Sequence, residues 1–241
     1  MSNYNELVHR VIREADILLI VVDARNILQS INVDLENEVV AADKKYLYVI
    51  NKVDLIPKKD QSKIRLRNSI QVSAQEHWGT MVLSKRIMRM AGGKEATVGI
   101  VGYPNTGKSS IINALKGRHS ARTSLVSGYT KALQKVRINR FLMLIDTPGI
   151  IPRKKRDDED NVLVGAINAG TMKDPEGAVF RLMDEFPGRI EAHFHVKARD
   201  SHDETLELIA KSKNILKRGG FPDTDRMARE IVMLWQKGSI K

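Results

Sequence analysis

Gly102-Tyr103-Pro104-Asn105-Thr106-Gly107-Lys108-Ser109-Ser110 is a complete phosphate-binding loop, yet it lies near the middle of a 241-residue chain, downstream of the Asn51-Lys52-Val53-Asp54 box that ordinarily follows it. Such a loop needs an apolar strand before it and a helix after it. Its glycines permit a tight backbone, and its amides and the helix N-terminus face phosphate oxygens. Thr97 to Val101 reads as that strand and Lys108 to Leu115 as that helix. The inverted order of the two boxes points to a guanine-nucleotide domain whose chain is circularly permuted.

The hydrophobic pattern supports an α/β fold, a P-loop domain with a mostly parallel doubly wound sheet, followed by a small mainly helical domain. Tyr4 to Ala15 places Leu7, Val8, Val11 and Ile12 on one helical face. Strands are expected at Ile17 to Val22, Tyr46 to Ile50, Ser69 to Val72 and Thr97 to Val101, with helices at Val33 to Asp43 and Thr80 to Met90. An antiparallel pair, Leu133 to Asn139 and Phe141 to Ile145, leads into Asp146-Thr147-Pro148-Gly149. Beyond Ile150, Arg153-Lys154-Lys155-Arg156 followed by Asp157-Asp158-Glu159-Asp160 reads as a charge-segregated linker. The expected domains are therefore 1–152 and 157–241. In the second, helices are expected at Asn161 to Ala169, Glu176 to Phe186, Asp203 to Arg218 and Thr224 to Gln236. The alternation of Ile190, Ala192, Phe194 and Val196 predicts a short extended segment, and Met227, Ile231 and Leu234 a core stripe with Trp235 at its edge.

The boxes carry specific chemistry. Thr106, Gly107, Lys108, Ser109 and Ser110 would hold the β- and γ-phosphates, with Lys108 supplying positive charge and Ser109 a magnesium ligand. The Asp54 carboxylate can accept both hydrogen bonds from the N1 and exocyclic amine of guanine, which adenine cannot offer. Asn51 and Lys52 complete that box, and Ser73-Ala74 after the next strand supplies backbone contacts to the base. Asp146 is placed for the magnesium shell, Gly149 for the γ-phosphate through its amide, and Thr130 for the switch residue that completes the metal shell. His193 and His195 lack a third ligand nearby and read as exposed polar positions rather than a metal site.

Charge divides unevenly. Lys and Arg outnumber Asp and Glu by 15 to 3 over residues 61–150, against 8 to 10 before and 17 to 16 after. The basic set from Lys116, Arg118 and Arg122 to Lys131, Lys135, Arg137 and Arg140 is therefore a candidate for rRNA phosphates, with a solvated surface as the alternative. No apolar run approaches the roughly 18 residues of a membrane span, the first residues lack a signal pattern, and cysteine is absent. A cytoplasmic protein with no membrane partner is the expectation.

With the base-recognition boxes first, then the P-loop, Thr130 and Asp146-Thr147-Pro148-Gly149, the sequence resembles the circularly permuted GTPases of the YlqF/YawG family. Val21-Val22-Asp23-Ala24-Arg25 is similar to a family signature. Leu163-Val164-Gly165, Gly219-Gly220-Phe221-Pro222-Asp223 and Trp235-Gln236-Lys237-Gly238 look like its C-terminal region. The resemblance implies a GTP-hydrolysing ribosome assembly factor, acting mostly on the large subunit and its rRNA and using Mg2+. Ile150 stands where Ras-like enzymes use glutamine to orient water, a replacement the family shares, so slow intrinsic turnover is expected. Asn105 resembles the asparagine with which potassium-dependent GTPases hold K+. His9 lies in the region where bacterial members carry a candidate catalytic histidine, but its helix is shorter and a solvated helix-face histidine is the favoured reading. The permutation sends the switch at Asp146 to Ile150 straight into the linker, so Arg153 to Arg156 is the expected hinge through which the C-terminal domain reads nucleotide state. The alternative is a nucleotide-gated RNA-binding or scaffolding protein in which hydrolysis is incidental. The oligomeric state is not legible.

Overall fold

The computed structural model describes residues 3–116, 134–146 and 169–240. The chain divides into two compact units, Met1–Arg153 and Lys154–Lys241.

The first unit is built on a six-stranded sheet in the order β3-β2-β1-β4-β6-β5. Its strands are β1 (Ile17–Asp23), β2 (Lys45–Asn51), β3 (Ser69–Gln71), β4 (Ala96–Gly102), β5 (Gln134–Arg137) and β6 (Leu142–Asp146). All pairings are parallel except β5 with β6. Strand β1 is buried along its whole length, as a central parallel strand covered on both faces must be.

Alternation divides its side chains between two layers. Leu18, Ile20 and Val22 join Val8, Val11 and Ile12 of α1 (Asn3–Glu14) and Leu35 and Val39 of α3 (Val33–Ala41). Ile17, Leu19 and Val21 face Leu83 and Ile87 of α5 (Thr80–Met90) and Ile111 and Ile112 of α6 (Lys108–Lys116). Each buried Leu or Ile contributes about 1.5–3 kcal/mol to holding helix on sheet. Two short helices were not anticipated, α2 (Ile27–Ser30) and α4 (Lys58–Gln61). A single turn of helix is too short to show a periodicity.

Among the described residues the second unit packs the α-helices α7 (Pro175–Glu185), α8 (Arg189–Phe194), α9 (His202–Ser212) and α10 (Thr224–Lys237). Asp174, Ser201 and Asp223 cap α7, α9 and α10 by accepting from the amides of Gly177, Glu204 and Arg226.

Three expectations are corrected. Residues 189–194 are helical rather than extended: Ile190 and Phe194, four apart, are buried while Ala192 between them is exposed, and Gly188 and His195 flank the helix in left-handed conformation. The expected helix to Arg218 stops at Ser212, because Asn214 turns left-handed (φ 55°) and Leu216 pairs antiparallel with Pro222. Trp235 is not at the edge of its cluster but 1% exposed within it, stacked 4.6 Å from Phe186, while Leu234 is only partly buried. Of the helix expected at Asn161 to Ala169, residues 161–168 lie outside the described residues, and Ala169 begins a 3-10 turn (Ala169–Thr171).

Candidate nucleotide-binding site

The C-terminal ends of β1, β2 and β4 bring together segments far apart in sequence, at the edge where parallel α/β sheets hold their ligands. Strand β4 runs into the P-loop, whose Asn105 adopts φ 59° and whose α6 begins at Lys108. Gly102 has φ 147°, and a Cβ there would sit 2.4 Å from the Val21 carbonyl oxygen. Gly107 has φ 94°, and its Cβ would sit 2.2 Å from Asn51 Nδ2. Both positions exclude a side chain through close backbone approach as well as through dihedral preference.

Asn51 is the keystone. It ends β2 only 2% exposed, with β1 between it and β4. Its Nδ2 donates to the Thr106 carbonyl at 2.9 Å, and its Oδ1 accepts from the Ala74 amide at 3.1 Å. One side chain thus joins the P-loop, the base-recognition box and the Ser73-Ala74 box. Thr106 is fully buried and donates its hydroxyl to the Tyr103 carbonyl at 2.9 Å, so its side chain serves the loop's shape. Lys108 is 6% exposed, with Nζ donating to the Gly102 and Tyr103 carbonyls at 3.0 and 2.7 Å. Ser109 is half-buried, and Asn105 and Ser110 are exposed.

Lys52 adopts φ 65°, and its Nζ lies 3.0 Å from Asp23 Oδ2. Asp54 is exposed, leaving its carboxylate open to a base. Ser73 is buried, its Oγ accepting from the Glu76 amide at 3.1 Å.

Asp23 and Arg25 are functional neighbours that sequence reasoning recorded only as part of a signature. Arg25 donates through Nη2 to Asp23 at 2.8 Å, with side chains 5% and 7% exposed. Burial pushes the Asp23 carboxyl up, but Lys52 and Arg25 together outweigh it and hold the group well below the ordinary carboxylate range. Asp23 therefore carries a charge that fixes the Lys52 side chain beside the base box. The available signal was an Asp closing a wholly apolar strand, with Arg two residues on.

Asp146 closes β6 in register with Ile100 of β4, two residues before Gly102; its side chain is outside the described residues. Thr130, Gly149, Ile150 and Arg153 to Arg156 also lie outside them. His9 is not gathered with these groups; its Nδ1 faces Glu38 of α3 at 3.4 Å. Of the described basic set, Lys135 pairs with Glu14 at 2.7 Å and Arg140 lies 4.5 Å over the Phe141 ring.

A P-loop on β4, its companion boxes on the earlier strands β2 and β3, and a parallel sheet beneath them define a circularly permuted P-loop GTPase. The 50S ribosome-binding GTPase family matches residues 97–216. The chain is 36% identical to the uncharacterized GTP-binding protein MJ1464 of Methanocaldococcus jannaschii, over 98% of this chain and 65% of that protein. It is 32% identical to nucleolar GTP-binding protein 2 of Neurospora crassa, over 98% of this chain and 40% of that one. The chain thus spans between two fifths and two thirds of the length of these relatives. The GNP-bound structure of YlqF from T. maritima shares the fold with TM-score 0.65 at 22% identity, covering 98% of this chain and 94% of that one. The chain is thus a circularly permuted GTPase, similar in sequence to these GTP-binding proteins and in fold to YlqF.

Proposed function

We propose that this chain binds and hydrolyses GTP and serves as a ribosome assembly factor on the large subunit, with the 157–241 domain binding rRNA and reading the nucleotide state. The observation that carries this reading is the pair of hydrogen bonds by which Asn51 donates to the Thr106 carbonyl and accepts from the Ala74 amide, tying three boxes together. The ribosomal part is supported by relatives named as a nucleolar GTP-binding protein and by the 50S ribosome-binding family.

In this reading Asp54 and Asn51 select guanine, with Lys52, Ser73 and Ala74 around the base. The amides of Thr106, Gly107, Lys108 and Ser110 hold phosphates, and Lys108 exchanges its bonds to the loop carbonyls for phosphate oxygens. Ser109, Thr130 and Asp146 would hold Mg2+. A hydroxyl at the start of α6 and a carboxylate at the end of the neighbouring β6 form the hard oxygen set that this ion prefers. Magnesium supplies charge neutralisation at the phosphates; the Gly149 amide would contact the γ-phosphate, and the exposed Asn105 would hold K+. Ile150 cannot orient water, so turnover is slow until a partner contributes that group. A cytoplasmic location is part of the proposal; among the described residues no helix is long and apolar enough to cross a membrane.

The test is co-sedimentation with each purified ribosomal subunit in GDP and in a non-hydrolysable GTP analogue, paired with single-turnover hydrolysis with and without subunits. Large-subunit binding favoured by the analogue, with accelerated hydrolysis, is expected. Binding to neither subunit in either state would sink the ribosomal assignment.

A further inference from the structure

The loop after Ser73-Ala74 carries an exposed indole on a rigid mount. Ser73 and Trp78 exchange both backbone hydrogen bonds, at 2.9 and 3.0 Å, and Thr80 Oγ1 donates to the His77 carbonyl at 3.0 Å. Gly79 holds φ 74° so close to the neighbouring strand that a Cβ would lie 2.5 Å from the Gln71 carbonyl oxygen. The loop has little freedom, yet Trp78 is 54% exposed at its end.

Helix α5 continues this surface. Its inner face buries Leu83 and Ile87, while Met81 and Val82 are 70% and 60% exposed. One to two turns further, Lys85 and Arg89 are exposed and Arg86 is half-buried. Within α5, Met81 or Val82, Lys85 and Arg89 recur at intervals of three and four, so they share one side of the helix, and Trp78 stands two residues before its first turn. Between Glu76 and Glu95 the chain has no acidic residue, and Lys94 adds a further cation. The stripe begins with a flat aromatic platform and ends in positive charge with no acidic residue beside it in sequence.

We propose that this face of α5 docks single-stranded RNA, one base stacking on Trp78 and the adjoining phosphates lying along Lys85, Arg86 and Arg89. Charge complementarity decides the occupant: cations without an acid among them attract a polyanion, and a fixed indole stacks any base without sequence preference. The rigid mount means little ordering entropy is lost on binding. None of these residues belongs to the basic set at residues 116–140. It rests on the ribosome-assembly reading only in making rRNA the source of the strand.

The full chain, bound to GDP, is titrated with a short fluorescein-labelled single-stranded RNA of mixed sequence. Trp235 is 1% exposed and Trp78 is the other of the chain's two tryptophans, so RNA is expected to quench the solvent-facing emission and to shield it from acrylamide. By anisotropy, W78A should bind about 5- to 150-fold more weakly, and W78F should recover most of that loss. K85E/R89E should weaken binding and flatten the slope of log affinity against log salt by about 1.4. Because these side chains are exposed, the melting temperatures of all variants should match that of the parent. Unquenched tryptophan on adding RNA, or unchanged affinity in both W78A and K85E/R89E, would overturn the proposal. So would quenching by an acidic amphipathic peptide where RNA has no effect, which assigns the face to a protein. Absence of ribosomal co-sedimentation sinks only the function proposed above, since the oligonucleotide titration is read without ribosomes.

Discussion

Replacing Asn51 by alanine removes the side chain that joins three boxes. The Thr106 carbonyl loses the Nδ2 donor at 2.9 Å, and the Ala74 amide loses the Oδ1 acceptor at 3.1 Å. Thr106 is fully buried and Ala74 is 5% exposed, so water replaces neither bond fully. An unsatisfied buried polar group costs about 1–3 kcal/mol, and two of them give about 2–6 kcal/mol. For a unit of this size the shift in melting temperature is roughly 5–20 °C. Asn51→Asp separates hydrogen bonding from side-chain volume. It keeps an acceptor for Ala74 but turns an oxygen toward the Thr106 carbonyl, so it should not restore stability. Urea unfolding followed by circular dichroism and by tryptophan fluorescence measures the loss, and calorimetric titration with GDP measures the accompanying loss of affinity. Either variant remaining within about 0.5 kcal/mol of the parent would refute the bridging role of Asn51.

Asp54→Asn should leave stability unchanged, since Asp54 is exposed, but should weaken GDP binding about 10- to 150-fold by removing a charge-assisted acceptor; unchanged affinity in calorimetry would remove Asp54 from the base site. Asp23→Asn removes the buried carboxylate that Arg25 and Lys52 share and should cost up to about 3–5 kcal/mol at neutral pH, measured by urea unfolding. The parent's Asp23 carboxyl is held down in the fold, so its stabilisation is full above the unfolded value of about 3.9 and is lost as pH falls through the lower folded value; acid unfolding of Asp23→Asn should therefore be less steep below about pH 4. Exchanging K+ for Na+ should slow GTP hydrolysis at constant Mg2+, and equal rates would remove Asn105 from the proposed cation site.

Much of the architecture was legible because its signals are local. The apolar run of β1, the strand-loop-helix setting of the P-loop and the Asp174-Pro175 helix start each depend on neighbours in sequence, and each appears where expected. Reading failed where long-range packing overrides a local pattern. Ile190, Ala192, Phe194 and Val196 alternate, but burial at a spacing of four selects the helix. Helix α9 carries no breaker before Gly219, yet it ends at Ser212 because the following residues close a tight turn between Leu216 and Pro222.

The sequence by itself determined the chemistry on offer: the amides of a P-loop, a lysine, a carboxylate at the end of the Asn51 to Asp54 box, and an order of boxes that only a permuted domain can accommodate. Motif residues report that chemistry because the ligand, not the surrounding fold, sets which groups are needed. The tertiary structure decided how those groups are held. Asn51 reaches past β1 to the P-loop and accepts from Ala74 beyond β3 on its other side, and Asp23 and Arg25 close around Lys52. Neither arrangement has a sequence spacing of its own, because a parallel sheet makes neighbours of strand ends separated by dozens of residues.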